Sequence, residues 1–221
     1  EEEMRSAKQK PALCMPRVTR TPAQPSAIRY ECTLGVLGLS AVGKTNLSST
    51  FFGGEFDETS DPTNVELTLR KEFYIGGSGY CLYIVDTPPF GSDNLRDALL
   101  DKCHGFILCY SSSCRASFEG VRDMYEHVLA LKRGLDVSVP MVLCANKSDL
   151  REESREVGED EGQQLASELG VPFYEVSAKT NTGFESAIRD MIGQVKEVGQ
   201  LSLVPPDDMP ATTTEDKCCV M

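Results

Sequence analysis

An apolar run from Cys32 to Leu37 ends on Gly38-Leu39-Ser40-Ala41-Val42-Gly43-Lys44-Thr45, and a helical pattern opens at Lys44. Few folds accommodate that order. Glycines between a strand and a helix let backbone N–H groups wrap an anion, and the helix N-terminus adds its positive dipole end. The G-x-x-x-x-G-K-[ST] spacing places Lys44 for β and γ phosphates and the Thr45 hydroxyl for magnesium. Ser40, Ala41 and Val42 line the loop, and Asn46 follows in the first helical turn.

The surrounding pattern alternates short apolar runs with longer amphipathic ones, as in a parallel sheet covered by helices. Strands are expected at Cys32 to Leu37, Val65 to Ile75, Tyr80 to Val85, Gly105 to Tyr110, Val139 to Ala145 and Phe173 to Val176. Helices are expected to begin near Lys44, Asn94, Ser117, Glu159 and Gly183. Gly76, Gly77, Ser78 and Gly79 form a turn short enough to make an antiparallel hairpin of the second and third strands. The expectation is an α/β fold of the P-loop NTPase kind, a mixed six-stranded sheet flanked by about five helices.

The third strand ends in Asp86, which offers the carboxylate that a phosphate-bound magnesium needs nearby. Asn146-Lys147-Ser148-Asp149 and Ser177-Ala178-Lys179 each follow an apolar strand, and such strand ends form the ligand crevice of α/β sheets. The Asp149 carboxylate can accept from N1–H and the N2 amino group of guanine. Adenine has an acceptor at N1 and no N2 amine, so the site selects G over A.

In this order and at these intervals the segments closely resemble the Ras superfamily of small GTPases, over about Tyr30 to Val198. The resemblance implies roles. Lys44 would hold phosphates, Thr45 and Thr63 magnesium, and Asp86 magnesium through a water. Asn146 and Asp149 would hold guanine, Lys147 would lie against the base, and the Ala178 N–H would meet guanine O6. Phe56 matches the aromatic residue that packs edgewise on the base, and Asp61-Pro62-Thr63 matches the first switch. Among the branches, Ras itself is closest in pattern, because Asp-Pro-Thr and a C-a-a-X ending occur together. GTP or GDP with magnesium, protein effectors and an exchange factor are the implied partners. Lys44 and Thr63 are the implied catalytic groups.

Two functional positions after the third strand depart from that family, and others differ around them. Its third strand normally continues Thr-Ala-Gly-Gln, whereas this chain reads Thr87-Pro88-Pro89-Phe90. Pro89 has no N–H to donate to a γ-phosphate. Phe90 has no polar group with which to orient an attacking water, so hydrolysis should be slow. The interval from Asp86 to Gly105 is one residue shorter than in Ras, which leaves Gly91 as an alternative for the sensing role. Ser40 stands at the first P-loop glycine of Ras, where a side chain can obstruct an arginine finger, though other small GTPases tolerate such residues. Ser60 replaces a tyrosine of the first switch, and Asn64-Val65 replaces the Ile-Glu of the Ras effector strand. The expected function is a GTP-binding signalling protein that turns over slowly, with a non-hydrolysing scaffold as the alternative. A P-loop kinase is a more distant reading, disfavoured by the guanine-reading pair of loops.

The ends differ from the middle. Residues 4–29 carry Arg5, Lys8, Lys10, Arg17, Arg20 and Arg29, four prolines and no acid, so residues 1–29 read as a disordered basic arm before a domain at 30–199. Residues 200–221 read as a flexible tail ending Cys218-Cys219-Val220-Met221, a motif that favours farnesyl on Cys218. One lipid holds only reversibly, and Asp207, Asp208, Glu215 and Asp216 would be repelled by anionic lipid. The basic arm, or acylation at Cys14, is the candidate second signal. The expected location is the cytoplasmic face of a membrane, the plasma membrane first, with a cytosolic fraction. No run reaches the ~18 apolar residues of a membrane span. A formal net charge of -12 argues against nucleic acid as a partner. The nine cysteines show no metal-ligand spacing, which suggests a reducing compartment. Tyr80, Tyr83, Phe106 and Tyr110 read as core, and His104 and His127 carry no catalytic assignment.

Overall fold

The computed structural model describes residues 29–58, 67–75, 77–90, 97, 100–133 and 138–204. The expected helix near Asn94, and Ser60, Thr63, Asn64, Val65, Gly91, Cys14 and Cys218, lie outside these residues. Among the described residues the strands are β1 (Arg29–Leu37), β2 (Leu67–Ile75), β3 (Ser78–Asp86), β4 (Gly105–Ser111), β5 (Met141–Asn146), β6 (Phe173–Glu175) and β7 (Ser202–Leu203). The helices are α1 (Lys44–Phe51), α2 (Arg115–Glu119), α3 (Val121–Leu131), α4 (Glu159–Leu169) and α5 (Phe184–Glu197).

The sheet runs β2-β3-β1-β4-β5-β6. β1, β3, β4, β5 and β6 are mutually parallel where they pair, and β2 is antiparallel to β3. The mixed α/β sheet is therefore as expected, with a tighter hairpin: Ile75 pairs with Ser78, leaving two residues between the strands instead of four. Every residue of β4 and β5 is buried, because helices cover both faces of these inner strands. One core layer joins Phe51 of α1 and Ile188, Met191 and Ile192 of α5 to Phe73, Tyr80 and Ile84. The other joins Met124 and Val128 of α3 and Leu165 of α4 to Phe106, Leu108 and Tyr110.

Two sequence expectations gain detail, and Tyr83 is corrected. The helix placed near Ser117 starts at Arg115 and divides at Gly120 into α2 and α3. The buried Ser117 hydroxyl accepts from the Ser111 N–H at 3.0 Å and donates to Cys114 O at 2.7 Å, which fixes this helix to the end of β4. Tyr83 is only half-buried and lies under the Arg70 guanidinium, 5.9 Å from the ring centre, so it is not core like Tyr80, Phe106 and Tyr110.

The sheet also takes in residues beside the expected limits of 30–199. Arg29, expected in the arm, opens β1 and donates to Glu72 at 2.8 Å, while Ser202 and Leu203, expected in the tail, pair antiparallel with Glu31 and Tyr30. β4 reaches β1 only from Leu34 onward, so β1 would otherwise expose unpaired backbone groups below that point. β7 covers Tyr30 and Glu31, and Val204 N–H donates to Arg29 O at 2.9 Å. His104 completes the edge: its N–H donates to Thr33 O at 2.8 Å and its Nδ1 accepts the Thr33 N–H at 2.9 Å.

Candidate functional site

The loop between β1 and α1 is shaped by two glycines. A side chain at Gly38 would place its Cβ 2.5 Å from Cys109 O, and one at Gly43 would fall 2.5 Å from Asn146 Nδ2 with φ at +90°. Gly43 therefore meets both a steric and a conformational demand. Ala41 also sits at positive φ, +60°, an unfavourable choice for a residue with a Cβ that recurs where loops curl around anions. Ser40 and Ala41 are exposed at the outer turn of the loop.

Lys44 is buried, and its ammonium donates to Gly38 O and Leu39 O, both at 3.0 Å. The cation thus lies within the loop it is expected to serve. Beside it, Thr45 Oγ1 donates to Asp86 Oδ2 at 2.6 Å. Asp86 is fully buried, and its Oδ1 has no hydrogen-bond partner among the described residues. Burial pushes the Asp86 carboxyl above its usual range, against the opposing pull of Thr45 and Lys44. An orphaned buried carboxylate oxygen next to a threonine hydroxyl is a donor set that suits a hard divalent cation such as magnesium. Thr63, the other expected magnesium ligand, lies outside the described residues.

Asn146, at the end of β5, has a second task that its sequence position did not reveal. Its Nδ2 donates to Val42 O at 2.8 Å and its Oδ1 accepts the Ala178 N–H at 3.2 Å, bolting the phosphate loop to the 177–179 loop. The Ala178 N–H, expected to point to guanine O6, is engaged in that bridge. Asp149 is oriented by Ser177, whose hydroxyl donates to Asp149 Oδ1 at 2.6 Å and accepts the Thr180 N–H at 3.1 Å. Lys147 stands at positive φ, +66°, where the chain turns sharply after β5. Phe56 is exposed over more than a third of its surface, and Lys179 pairs with Glu58 at 2.9 Å. Asn46 holds the Asp57 backbone through both amide atoms.

The segment after β3 is anchored by two hydrogen bonds to backbone and by apolar contact. Thr87 Oγ1 donates to Val36 O at 2.7 Å, and the Phe90 N–H donates to Gly38 O at 3.1 Å. The half-buried Phe90 ring packs on the α3 side of the core and meets the His127 ring edge-on at 5.4 Å. His127 in turn shares a 3.0 Å hydrogen bond with Asp97. Sequence reading left His127 without a partner because its partners stand 30 and 37 positions earlier. Glu58, Ser177 as an orienting group and this aromatic contact were equally out of reach, since each depends on side-chain placement across the fold.

The structure thus brings together Gly38, Val42, Gly43, Lys44, Thr45 and Asp86 on one side, and Asn146, Asp149, Ser177 and Ala178 on the other. Comparison with known proteins agrees with this arrangement. The family model described as "Ras family" matches residues 33–197. The Ras-like protein rasV of Dictyostelium discoideum is 36% identical over 171 residues, covering 76% of this chain and 72% of that protein. Protein ras-2 of Neurospora crassa is 35% identical over 197 residues, covering 80% of this chain and 84% of that protein. A loop, a carboxylate and two base-side segments at the ends of parallel strands, within a match of that extent, identify the chain as a GTP-binding member of the Ras family of small GTPases.

Proposed function

We propose that this Ras-family protein binds GTP and GDP with magnesium and hydrolyses GTP slowly, so that the GTP-bound form is long-lived. Gly38, Gly43 and the start of α1 cradle phosphates with backbone N–H groups, and Lys44 supplies the charge. Thr45 and Asp86 are the described residues that would hold magnesium, Asp86 through water, with Thr63 completing the set. Magnesium there would neutralise charge on the β and γ phosphate oxygens. Asp149, fixed by Ser177, accepts from guanine, with Lys147 and Phe56 as the walls of the base pocket.

Hydrolysis requires a water oxygen to form a bond to the γ phosphorus as the bond to the β–γ bridging oxygen breaks. Lys44 can stabilise the charge that develops, but positioning the water falls to a residue after β3. The observation that carries the proposal is Phe90: its ring is engaged with the core and His127, and it has no group that accepts or donates to water. The described binding groups are retained while water positioning is impaired.

Phosphate release over a single turnover from protein loaded with GTP and magnesium tests this. Slow release that Phe90→Gln accelerates supports the proposal, and release at an ordinary small-GTPase rate in the unaltered protein overturns it. A second reading, a non-hydrolysing scaffold, is favoured by Pro88-Pro89 together with the Phe90 contacts, which hold the segment by means other than a γ-phosphate. Negligible release even with Phe90→Gln would favour the scaffold. Cys218 is the proposed prenyl acceptor, placing the protein at a membrane where effectors and an exchange factor act. Loss of label from a farnesyl analogue in Cys218→Ser tests that assignment.

A further inference from the structure

Phe56, Asp57 and Glu58 leave the end of α1 and are held at two points. Asn46 Nδ2 donates to Asp57 O at 2.7 Å, and the Asp57 N–H donates to Asn46 Oδ1 at 3.2 Å, a two-way pairing like that of adjacent strands. One residue on, Glu58 Oε1 accepts from Lys179 Nζ at 2.9 Å, and this pairing holds the Lys179 ammonium above its ordinary range. The first contact reaches the helix that opens behind the phosphate loop. The second reaches the loop that carries Ser177 and Ala178. The aromatic Phe56 precedes both and is 36% exposed.

The Glu58–Lys179 pair joins residues 121 positions apart and lies next to an independent backbone clamp on the same three-residue segment. Together they tie the base-side wall to both halves of the site. We propose that Asn46–Asp57 and Glu58–Lys179 form a two-point clasp that retards release of the bound guanine nucleotide. Asn46 is the fixed point and Glu58–Lys179 the salt-sensitive closure; all four are positioning residues. The inference rests on the guanine-nucleotide reading above.

The pair is more than half exposed on both sides, so its contribution is small and screened by salt, whereas the Asn46 hydrogen bonds are less sensitive to ionic strength. The full chain would be loaded with a fluorescent GDP and magnesium, and release followed after adding excess unlabelled GDP at low and high salt. Glu58→Gln is expected to release about threefold faster at low salt, with the difference vanishing at high salt. The charge swap Glu58→Lys with Lys179→Glu should recover much of the loss. Asn46→Ala should release about tenfold faster at either salt concentration. Stable loading with release rates that Glu58→Gln and Asn46→Ala leave unchanged would overturn the clasp and leave nucleotide binding intact. Absence of a loaded complex in the unaltered protein would overturn the underlying reading, and the clasp with it.

Discussion

The two flanks of the nucleotide site are built from different materials. On the base side, hydrogen bonds run through polar side chains whose partners are fixed: Asn146 joins Val42 to Ala178, and Ser177 orients Asp149. On the side that follows β3, Thr87 and the Phe90 N–H bond to backbone carbonyls of Val36 and Gly38, and the one large side chain, Phe90, packs against His127 and the core. Polar networks specify one ligand geometry, whereas apolar packing specifies a conformation without reporting on a ligand. Recognition and turnover can therefore diverge within one fold. On the function proposed above, the first flank keeps what binding requires, and the second gives up what water positioning requires.

The contrast can be broken at its strongest point first. Asp149→Asn replaces an acceptor-only carboxylate with an amide that presents donors to guanine, so guanine nucleotide affinity should fall by about a hundredfold in equilibrium titration. A fall of only a few-fold would mean that the base side is less decisive than its hydrogen bonds imply. Next, Asp86→Ala removes the buried oxygen that has no hydrogen-bond partner among the described residues, and the dependence of nucleotide retention on magnesium should weaken by about tenfold or more. Chelator-induced release that is as strong as in the unaltered protein would count against a metal role for Asp86.

The apolar flank should yield smaller effects. His127→Ala removes the ring that faces Phe90, and amide exchange at Thr87 and Phe90 should become faster by about threefold. In the unaltered protein, exchange at those amides should be the same with GDP and with a non-hydrolysable GTP analogue. A large nucleotide-dependent difference would show that the segment senses the γ-phosphate after all.

The smallest expected effect is on pH dependence. Burial lowers the pKa of His104, with nearby Glu31 opposing and Lys132 adding to the shift, and its Nδ1 must be unprotonated to accept the Thr33 N–H. A histidine whose folded value lies below its unfolded value contributes stability that is present above the unfolded value near 6.5. That contribution is lost as pH falls through the folded value. Between pH 7 and pH 5 the thermal midpoint should drop by about 2–3 °C more in the unaltered protein than in His104→Gln, whose amide oxygen can accept the same bond. Equal drops would place the titrating group elsewhere.

Much of this was legible in the chain because the phosphate loop, Asp86 and the two base-side loops are short motifs at strand ends. Local spacing alone predicts where such residues emerge. Lys44, Thr45 and Asp86 converge as their order implied. What escaped depends on distant side chains. Asn146 reads as a guanine contact, yet its bond to Val42 links positions 104 apart. Phe90 reads as the loss of a glutamine, but the contact that replaces it needs α3 to present His127. β7 escaped for another reason: two residues carry no periodicity, and only the uncovered edge of β1 explains why they pair.

That short strand has a mechanical consequence. A pull on Val204 directed away from the sheet edge loads the hydrogen bonds of β7 one at a time, beginning with the one to Arg29 O. Such peeling needs far less force than shearing several bonds at once. Tension on the following residues would unzip two residues before it strained α5, whose Met191, Ile192 and Val195 are buried in the core. Such slack would let the trailing chain take up tension before the strand ends that form the candidate site are disturbed.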